Sequence, residues 1–133
     1  MLAPDPTPDE VTSRYLRHSN QYAPSIGRVK PHAFHPAPAD HKTSVFRVQG
    51  LTESEIWSLG EEHIQSPSGG ELRARAELLV AQIAGVGLQV EPQEPPQRHA
   101  NIAGWPAEKD ELMLKAQELA AVATLRLRTA LTA

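Results

Sequence analysis

The sequence predicts a small α+β fold in a single domain, and three observations support this class. A chain of 133 residues has the length of one domain. The run TSVFRVQ at 43–49 is β-branched and aromatic and alternates in polarity, which is typical of a strand. Helix patterns with capping residues lie on both sides of this run. Three to four helices alternating with a few short strands indicate the α+β class.

The composition excludes several classes of protein. The chain has no cysteine, which excludes disulfides, thiolate nucleophiles and Cys-ligated zinc. The net charge is −3, and no apolar run approaches the roughly 18 residues of a membrane helix. The opening MLAPDPTPDE lacks the pattern of a secretory signal. We therefore expect a cytoplasmic protein that makes no membrane contact and carries no cofactor.

Proline marks two segments of irregular backbone. Seven of the 12 prolines lie in the first 40 residues. We predict a flexible Pro-rich arm at 1–7, followed by one α+β domain at 8–133. Within that domain, residues 24–42 are predicted to form a long Pro-rich loop, and loops of this length are often functional.

The first predicted helix begins at Pro8 and ends near Asn20. Thr7 is a suitable N-cap, Pro8 suits the first helical position, and Glu10 stands three residues after the cap. Its apolar face would consist of Val11, Tyr15 and Leu16.

The centre of the chain combines one strand and one helix. After the strand at 43–49, Thr52 and Glu55 form a capping box that predicts the start of a helix. Apolar residues of this helix continue to Ile64, and the segment 66–70 predicts a turn.

Residues 71–84 are compatible with two structures. A helical stripe would contain Leu72, Ala76, Leu79, Val80 and Ile83. A strand would place Leu72, Ala74, Ala76 and Leu78 on one face. We favour the helix because Ala, Leu, Glu and Arg have high helix propensity. Short strands are predicted at 86–91 and 98–103.

The last predicted helix is long and alanine-rich. Pro106 suits its first turn, acidic residues follow near its start, and Arg126 and Arg128 suit its C-terminal end. It carries two apolar stripes, so we expect both of its sides to be packed. We predict a contact with a protein partner, or a homodimer, through residues 107–131.

Positive charge is concentrated in residues 14–47. This window has six basic residues and one acidic residue, a local charge of +5, and it contains four histidines and four aromatic residues. Basic side chains interleaved with rings can hold phosphates while the rings stack on bases. The predicted phosphate-binding residues are Arg14, Arg17, Arg28, Lys30 and, outside the window, Arg98. The alternative is a basic face that docks on an acidic protein surface.

The histidines of the Pro-rich loop are the only metal candidates. His32, His35 and His41, with Asp40 beside them, offer ligands that zinc accepts. Their spacing matches no familiar metal site, and solvated or hydrogen-bonded histidines are the simpler explanation of the pattern. We therefore predict no metal centre.

The segment RHANIAGWP at 98–106 is a second candidate site. His99 has the chemistry of a general acid or base, and Arg47 can stabilise a phosphate or an oxyanion. These two residues are the catalytic candidates. In the structural alternative, His99 bonds to the backbone and Trp105 fills the core.

Together these patterns predict a small bacterial binding module. Its basic N-terminal segment would contact a phosphate-bearing ligand, a nucleic acid or an acidic protein. A second hypothesis is a metal-independent enzyme that acts on RNA or a nucleotide, of the nuclease or NAD-using transferase type. That hypothesis requires Arg47, His99 and the 28–42 segment to converge on one cleft. A third is an immunity or antitoxin-like partner protein.

Overall fold

An antiparallel sheet with helices on both faces forms the body of the protein. The computed structural model describes residues 4–64 and 72–128. The strands are β1 (Val11–Leu16), β2 (Tyr22–Ala23), β3 (Arg28–Val29), β4 (Thr43–Arg47), β5 (Ala74–Leu79), β6 (Gln89–Pro92), β7 (His99–Ala103) and β8 (Thr124–Leu127). The α-helices are α1 (Glu53–His63), α2 (Val80–Gly85) and α3 (Lys109–Val122), and short 3-10 turns lie at Ser19–Gln21, Pro24–Ile26 and Pro31–Phe34. The fold is α+β, as predicted.

Six strands form the main sheet in the order β6-β7-β4-β1-β5-β8, and all neighbours are antiparallel. The interior strand β1 pairs along its whole length with β5, from Val11 opposite Leu79 to Leu16 opposite Ala74. The other edge of β1 pairs with β4. Strands β2 and β3 form a separate two-stranded ribbon.

The two faces of the sheet carry separate hydrophobic cores because successive strand residues point to opposite faces. The larger core lies under α2, α3 and the turn Pro31–Phe34. Its buried residues include Leu16, Phe34, Val45, Ala76, Leu78, Ile83, Ile102, Trp105, Ala116 and Leu119. The smaller core lies under α1 and consists of Tyr15, Phe46, Val48, Ile56, Trp57 and Leu72.

The predicted helix at 8–20 is wrong, because β1 occupies most of that segment. The capping pattern is satisfied by a turn: the amide N–H of Glu10 donates to the Thr7 carbonyl at 3.0 Å, and the Thr7 amide donates to the Glu10 carboxylate at 3.4 Å. The chain then enters the sheet, where β4 and β5 supply hydrogen bonds on both sides. Tertiary pairing therefore overrides a local helix signal.

The favoured helix at 71–84 is wrong over β5 and correct over α2. Residues Ala74, Ala76 and Leu78 alternate into the larger core, which is the arrangement of the strand alternative. Arg75 occupies the opposite face and is 1% exposed. The helix propensity of Ala, Leu, Glu and Arg favours the wrong structure here, because pairing with β1 and β8 decides the conformation of the segment.

The other predicted elements agree in type with the structure, and the last helix differs most in extent. The strand at 43–49 is β4, and the strands at 86–91 and 98–103 are β6 and β7. Thr52 caps α1 as predicted, and Glu55 completes the capping box. The last helix is shorter than predicted: α3 ends at Val122, and the chain continues as strand β8 beside β5.

The predicted loop at 24–42 contains ordered structure. It includes β3 and two 3-10 turns, and Ala33 and Phe34 are fully buried in the larger core. The predicted turn at 66–70 lies outside the described residues. No helix within the two described ranges is long and apolar enough to cross a membrane.

Candidate functional site

A polar cleft lies at the junction of β4, β7 and the segment that precedes β4. It has a volume of about 340 Å³. We call it the basic cleft, and its lining residues are Arg14, Arg17, His35, Ala37, Asp40, Lys42, Thr43, Ser44, Gln93, His99 and Asn101. A neighbouring hollow of about 380 Å³ shares Arg14, Arg17 and Ser44 and extends toward the C-terminal end of α1. The two hollows therefore adjoin across these three shared residues.

Ser44 and His99 form a hydrogen-bonded pair in the basic cleft. The Ser44 Oγ atom lies 2.7 Å from Nε2 of His99, and Nδ1 of His99 lies 2.9 Å from the carbonyl oxygen of Gln93. A carbonyl oxygen only accepts hydrogen bonds, so Nδ1 of the neutral ring must carry the proton. Nε2 is then an acceptor, and the Ser44 hydroxyl donates its proton toward it.

Three contacts fix the position of this pair. The ring of Phe46 meets the ring of His99 edge-on, with centroids 5.3 Å apart. The amide N–H of Gln93 donates to the His99 carbonyl at 2.9 Å, which closes a two-way link between these residues. The Asn101 side chain donates to Oε1 of Gln93 at 2.6 Å. Ring packing and hydrogen bonds therefore hold His99 in one orientation.

Two arginines supply most of the positive charge of the cleft. Arg14 donates from Nε to the Ala33 carbonyl at 3.0 Å and from Nη1 to the Ser44 carbonyl at 2.9 Å. Burial lowers the pKa of Arg14 to about 10, and the positive charge of Arg17 contributes. Arg14 is therefore still protonated at neutral pH. Arg17 is exposed, and its guanidinium makes no hydrogen bond or ion pair with the residues of the described ranges.

The remaining charges of the cleft nearly cancel. Lys42 forms an ion pair with Glu91 at 3.1 Å, and its backbone amide donates to Asp40 at 3.2 Å. His35 also lines the cleft, and burial lowers its pKa, with the neighbouring His32 adding to the effect. The uncompensated positive charge is therefore that of Arg14 and Arg17.

The catalytic candidate Arg47 lies outside the basic cleft. Its guanidinium donates two hydrogen bonds to the Glu10 carboxylate, at 2.5 and 2.9 Å, and a third to the Pro4 carbonyl at 2.7 Å. These bonds raise the pKa of Arg47 and lower that of Glu10. His99 and part of the 28–42 segment thus share a cleft, and Arg47 is occupied by a buried ion pair elsewhere.

The other predicted phosphate-binding residues are scattered. Arg28 and Lys30 are exposed at the β2–β3 ribbon, where Lys30 contacts the Ser19 carbonyl at 3.4 Å. Arg98 donates to the backbone carbonyls of Arg47 and Gln49 at 3.1 and 3.4 Å. Only Arg14 and Arg17 of the predicted set line the basic cleft.

A larger hollow of about 510 Å³ lies between α1 and residues 96–98. Arg98 is its only arginine or lysine among the described lining residues. Glu55 and Glu62 add negative charge to the same walls. This hollow is a poor place for an anion despite its size.

The candidate metal ligands do not form a metal site. The rings of His32 and His35 lie 5.1 Å apart, whereas Nε2 of His41 contacts the Pro106 carbonyl at 3.1 Å. Across residues 4–64 and 72–128, no group of three or more His, Asp or Glu side chains has an arrangement that could hold a metal ion.

Sequence reasoning found His99 and missed its partners Ser44 and Gln93. Ser44 lies on the same face of β4 as Phe46, two residues along the strand, and it stands opposite Asn101 in the β4–β7 register. The spacing of His99 and Asn101, two residues apart on one strand, is the local signal that would have indicated a shared polar face.

The comparisons with known proteins do not assign this chain to a family. No family model matches the chain, and no curated protein or solved structure is significantly similar to it. The function proposed below is therefore argued from the geometry and charge of the basic cleft.

Proposed function

We propose that the protein binds a small phosphate-bearing ligand, of the size of a nucleotide or a sugar phosphate, in the basic cleft. The proposal rests chiefly on Arg14 and Arg17, two positive charges close enough that one lowers the pKa of the other. No carboxylate among the described residues pairs with either guanidinium. An anion held between them would remove this repulsion and accept charge-assisted hydrogen bonds.

The size and chemistry of the cleft favour a small ligand over a long nucleic acid. The two adjoining hollows have volumes of about 340 and 380 Å³, within the range of small-molecule sites. Their walls combine the arginines with neutral donors and acceptors from Ser44, Gln93 and Asn101. Arg28 and Lys30 do not line either hollow, so the exposed cations do not continue the cleft as a basic stripe.

Titration calorimetry with adenosine 5′-monophosphate, ribose 5-phosphate and adenosine would test this proposal. The two phosphate esters should bind and adenosine should not, because the phosphate supplies the main contact. Affinity should fall between about 50 and 500 mM NaCl, since the screening length shortens over this range. Absence of measurable binding by both phosphate esters at low salt would contradict the proposal.

Arg17→Ala and Arg28→Ala form a matched pair of variants, since each removes one exposed arginine. Loss of Arg17 should weaken binding about tenfold, the effect of one charge-assisted contact. Arg28→Ala should leave the dissociation constant nearly unchanged. Equal losses in the two variants would indicate that net charge, and not the cleft, attracts the ligand.

We also propose a homodimer contact through α3 and β8, in line with the sequence-based expectation for residues 107–131. Three large apolar side chains are exposed there: Leu114 at 56%, Val122 at 41% and Leu127 at 46%. A second copy of the chain would cover this surface. Light scattering across a concentration series should show a dimer that Leu114→Glu dissociates, and a monomer at every concentration would refute it.

A further inference from the structure

We propose that Ser44 is a catalytic nucleophile and His99 its general base, in a site that transfers an acyl group from a phosphate-bearing leaving group. The Ser44 hydroxyl lies 2.7 Å from Nε2 of His99, within the range of a nucleophile–base pair. The Gln93 carbonyl, 2.9 Å from Nδ1, orients the ring as the third group of such a site does. The phosphate part of this inference rests on the proposed function.

The position of Ser44 makes its hydroxyl available to a ligand. Ser44 lines both the basic cleft and the neighbouring hollow, so an incoming group can approach the Oγ atom from the cavity. The serine backbone is held by two neighbours, since its carbonyl accepts a hydrogen bond from Arg14 and its strand pairs with β7. The hydroxyl is thus presented by a rigid element, which favours productive geometry.

Asn101 is placed to stabilise the developing oxyanion. It stands directly opposite Ser44 across β4 and β7, and such cross-strand neighbours have Cβ atoms about 5 Å apart. Its side-chain NH₂ group donates to Oε1 of Gln93 at 2.6 Å, which uses one of two N–H donors. The second N–H can donate to the carbonyl oxygen when it becomes negative.

Acyl chemistry fits the pair better than displacement at phosphorus. In acyl transfer, the nucleophile and the leaving oxygen are bonded to the same tetrahedral carbon, so one histidine can serve both. In an in-line displacement at phosphorus, the leaving oxygen departs on the side opposite to the nucleophile. His99 is hydrogen-bonded to Ser44 and lies on the attacking side.

The reaction would proceed in two balanced halves. Ser44 Oγ bonds to the carbonyl carbon while its proton passes to Nε2 of His99. The bond from that carbon to the phosphate-bearing oxygen then breaks, and His99 returns the proton to the leaving group. Water next attacks the acyl–Ser44 ester and gives a proton to His99, which passes it to Ser44 Oγ. The products are a carboxylic acid and the phosphate-bearing leaving group, and no oxidant or reductant is consumed.

A fluorophosphonate probe tests the nucleophile independently of the natural substrate. The wild-type protein should be labelled at Ser44, as located by mass spectrometry of the peptides. His99→Gln should slow labelling about 100-fold, the contribution of a general base. Ser58→Ala, which removes an exposed serine of α1, should be labelled like the wild type. A circular dichroism melt of each variant would show that the fold is retained.

Acetyl phosphate and 4-nitrophenyl acetate then test the leaving group. Hydrolysis of acetyl phosphate should depend on Ser44 and His99, and Arg17→Ala should slow it by a larger factor than it slows hydrolysis of 4-nitrophenyl acetate, which carries no phosphate. Asn101→Ala should slow both reactions about 100-fold without changing the labelled residue. Equal turnover of acetyl phosphate by wild type and Ser44→Ala would overturn the acyl-transfer proposal.

Labelling of Ser44 and binding of phosphate esters can be lost separately, so each role of the cleft has its own test. Ser44→Ala should weaken the binding of adenosine 5′-monophosphate much less than Arg17→Ala does, because the charged contacts to the phosphate come from the arginines. An unlabelled Ser44 in a protein that binds phosphate esters would overturn the nucleophile and leave the binding function standing. A labelled Ser44 in a protein without phosphate affinity would overturn the phosphate-bearing leaving group.

Discussion

Gly60 of helix α1 lies directly against the ring of Tyr15 on strand β1. A Cβ atom at residue 60 would come within 2.6 Å of the Tyr15 ring and 2.8 Å of the Leu72 side chain. Both neighbours belong to the smaller core, and both are buried. The absence of a side chain at residue 60 therefore sets how closely α1 approaches the sheet.

Gly60→Ala should destabilise the protein by about 2 kcal/mol, because the added methyl group would force the buried side chains of Tyr15 and Leu72 out of their packed positions. Gly85→Ala is the matched control, since an added Cβ there meets nothing within 4 Å. The free energies of unfolding in urea would measure both changes. A Gly60→Ala variant as stable as Gly85→Ala would show that α1 can shift away without cost.

The buried Glu10–Arg47 pair should make stability depend on pH. The hydrogen bonds from Arg47 hold the pKa of Glu10 below the ordinary value of a glutamate in the folded state. A carboxyl group with a lowered pKa adds stability above its unfolded pKa, and this is lost as the pH falls through the folded pKa. At pH 7, Glu10→Gln should cost about 2 kcal/mol.

The stability gap between wild type and Glu10→Gln should thus close on acidification below about pH 4. Glu61→Gln is the control, because its partner Arg128 is 3.3 Å away in a pair that is 28% and 42% exposed. That variant should change stability by less than about 1 kcal/mol. A gap for Glu10→Gln that stays constant from neutral to acidic pH would refute the assignment.

The N-cap of α1 gives a prediction about local stability. The Thr52 hydroxyl accepts from the Glu55 amide at 3.2 Å, and the Glu55 carboxylate accepts from the Thr52 amide at 2.9 Å. Thr52→Ala should cost about 1 kcal/mol in chemical unfolding, whereas Thr52→Ser keeps the acceptor and should cost much less. If Ala and Ser are equivalent at this position, the cap does not stabilise α1.

Capping and polarity patterns predicted those elements whose formation depends on residues close together in sequence. The cap of α1 at Thr52 and the strand at 43–49 are set by neighbouring side chains, and both are in the structure. Strands β1, β5 and β8 were missed because distant partners determine them. For β5, the alternation is visible in the sequence, but the helix propensity of Ala, Leu, Glu and Arg favours the wrong structure. The ion pairs of Arg75 with Glu53 and Glu77, which make its burial possible, form only in the fold.

The sequence predicted only part of the candidate site, because the residues of the site come from distant parts of the chain. The acid–base chemistry of histidine made His99 a candidate without any knowledge of the fold. Its partner Ser44 lies 55 residues away in the sequence, and only the β4–β7 register brings the two together. Arg47 lies on the strand predicted, but its partner Glu10 comes from the turn before β1, which the helix prediction concealed.

The interior position of β1 has a consequence for how the chain reaches its native state. Strand β1 bonds to β4 and β5, and Val11 and Leu79 of the β5 pairing are 68 residues apart in sequence. Such distant pairing slows folding, because a long segment of chain must lose conformational entropy before the strand contacts offset that loss. Until β5 has been synthesised, one edge of β1 has no strand to accept its hydrogen bonds, and an open edge is a template for association with other chains. During synthesis, the β5 edge of β1 therefore stays open to association with other chains until β5 emerges.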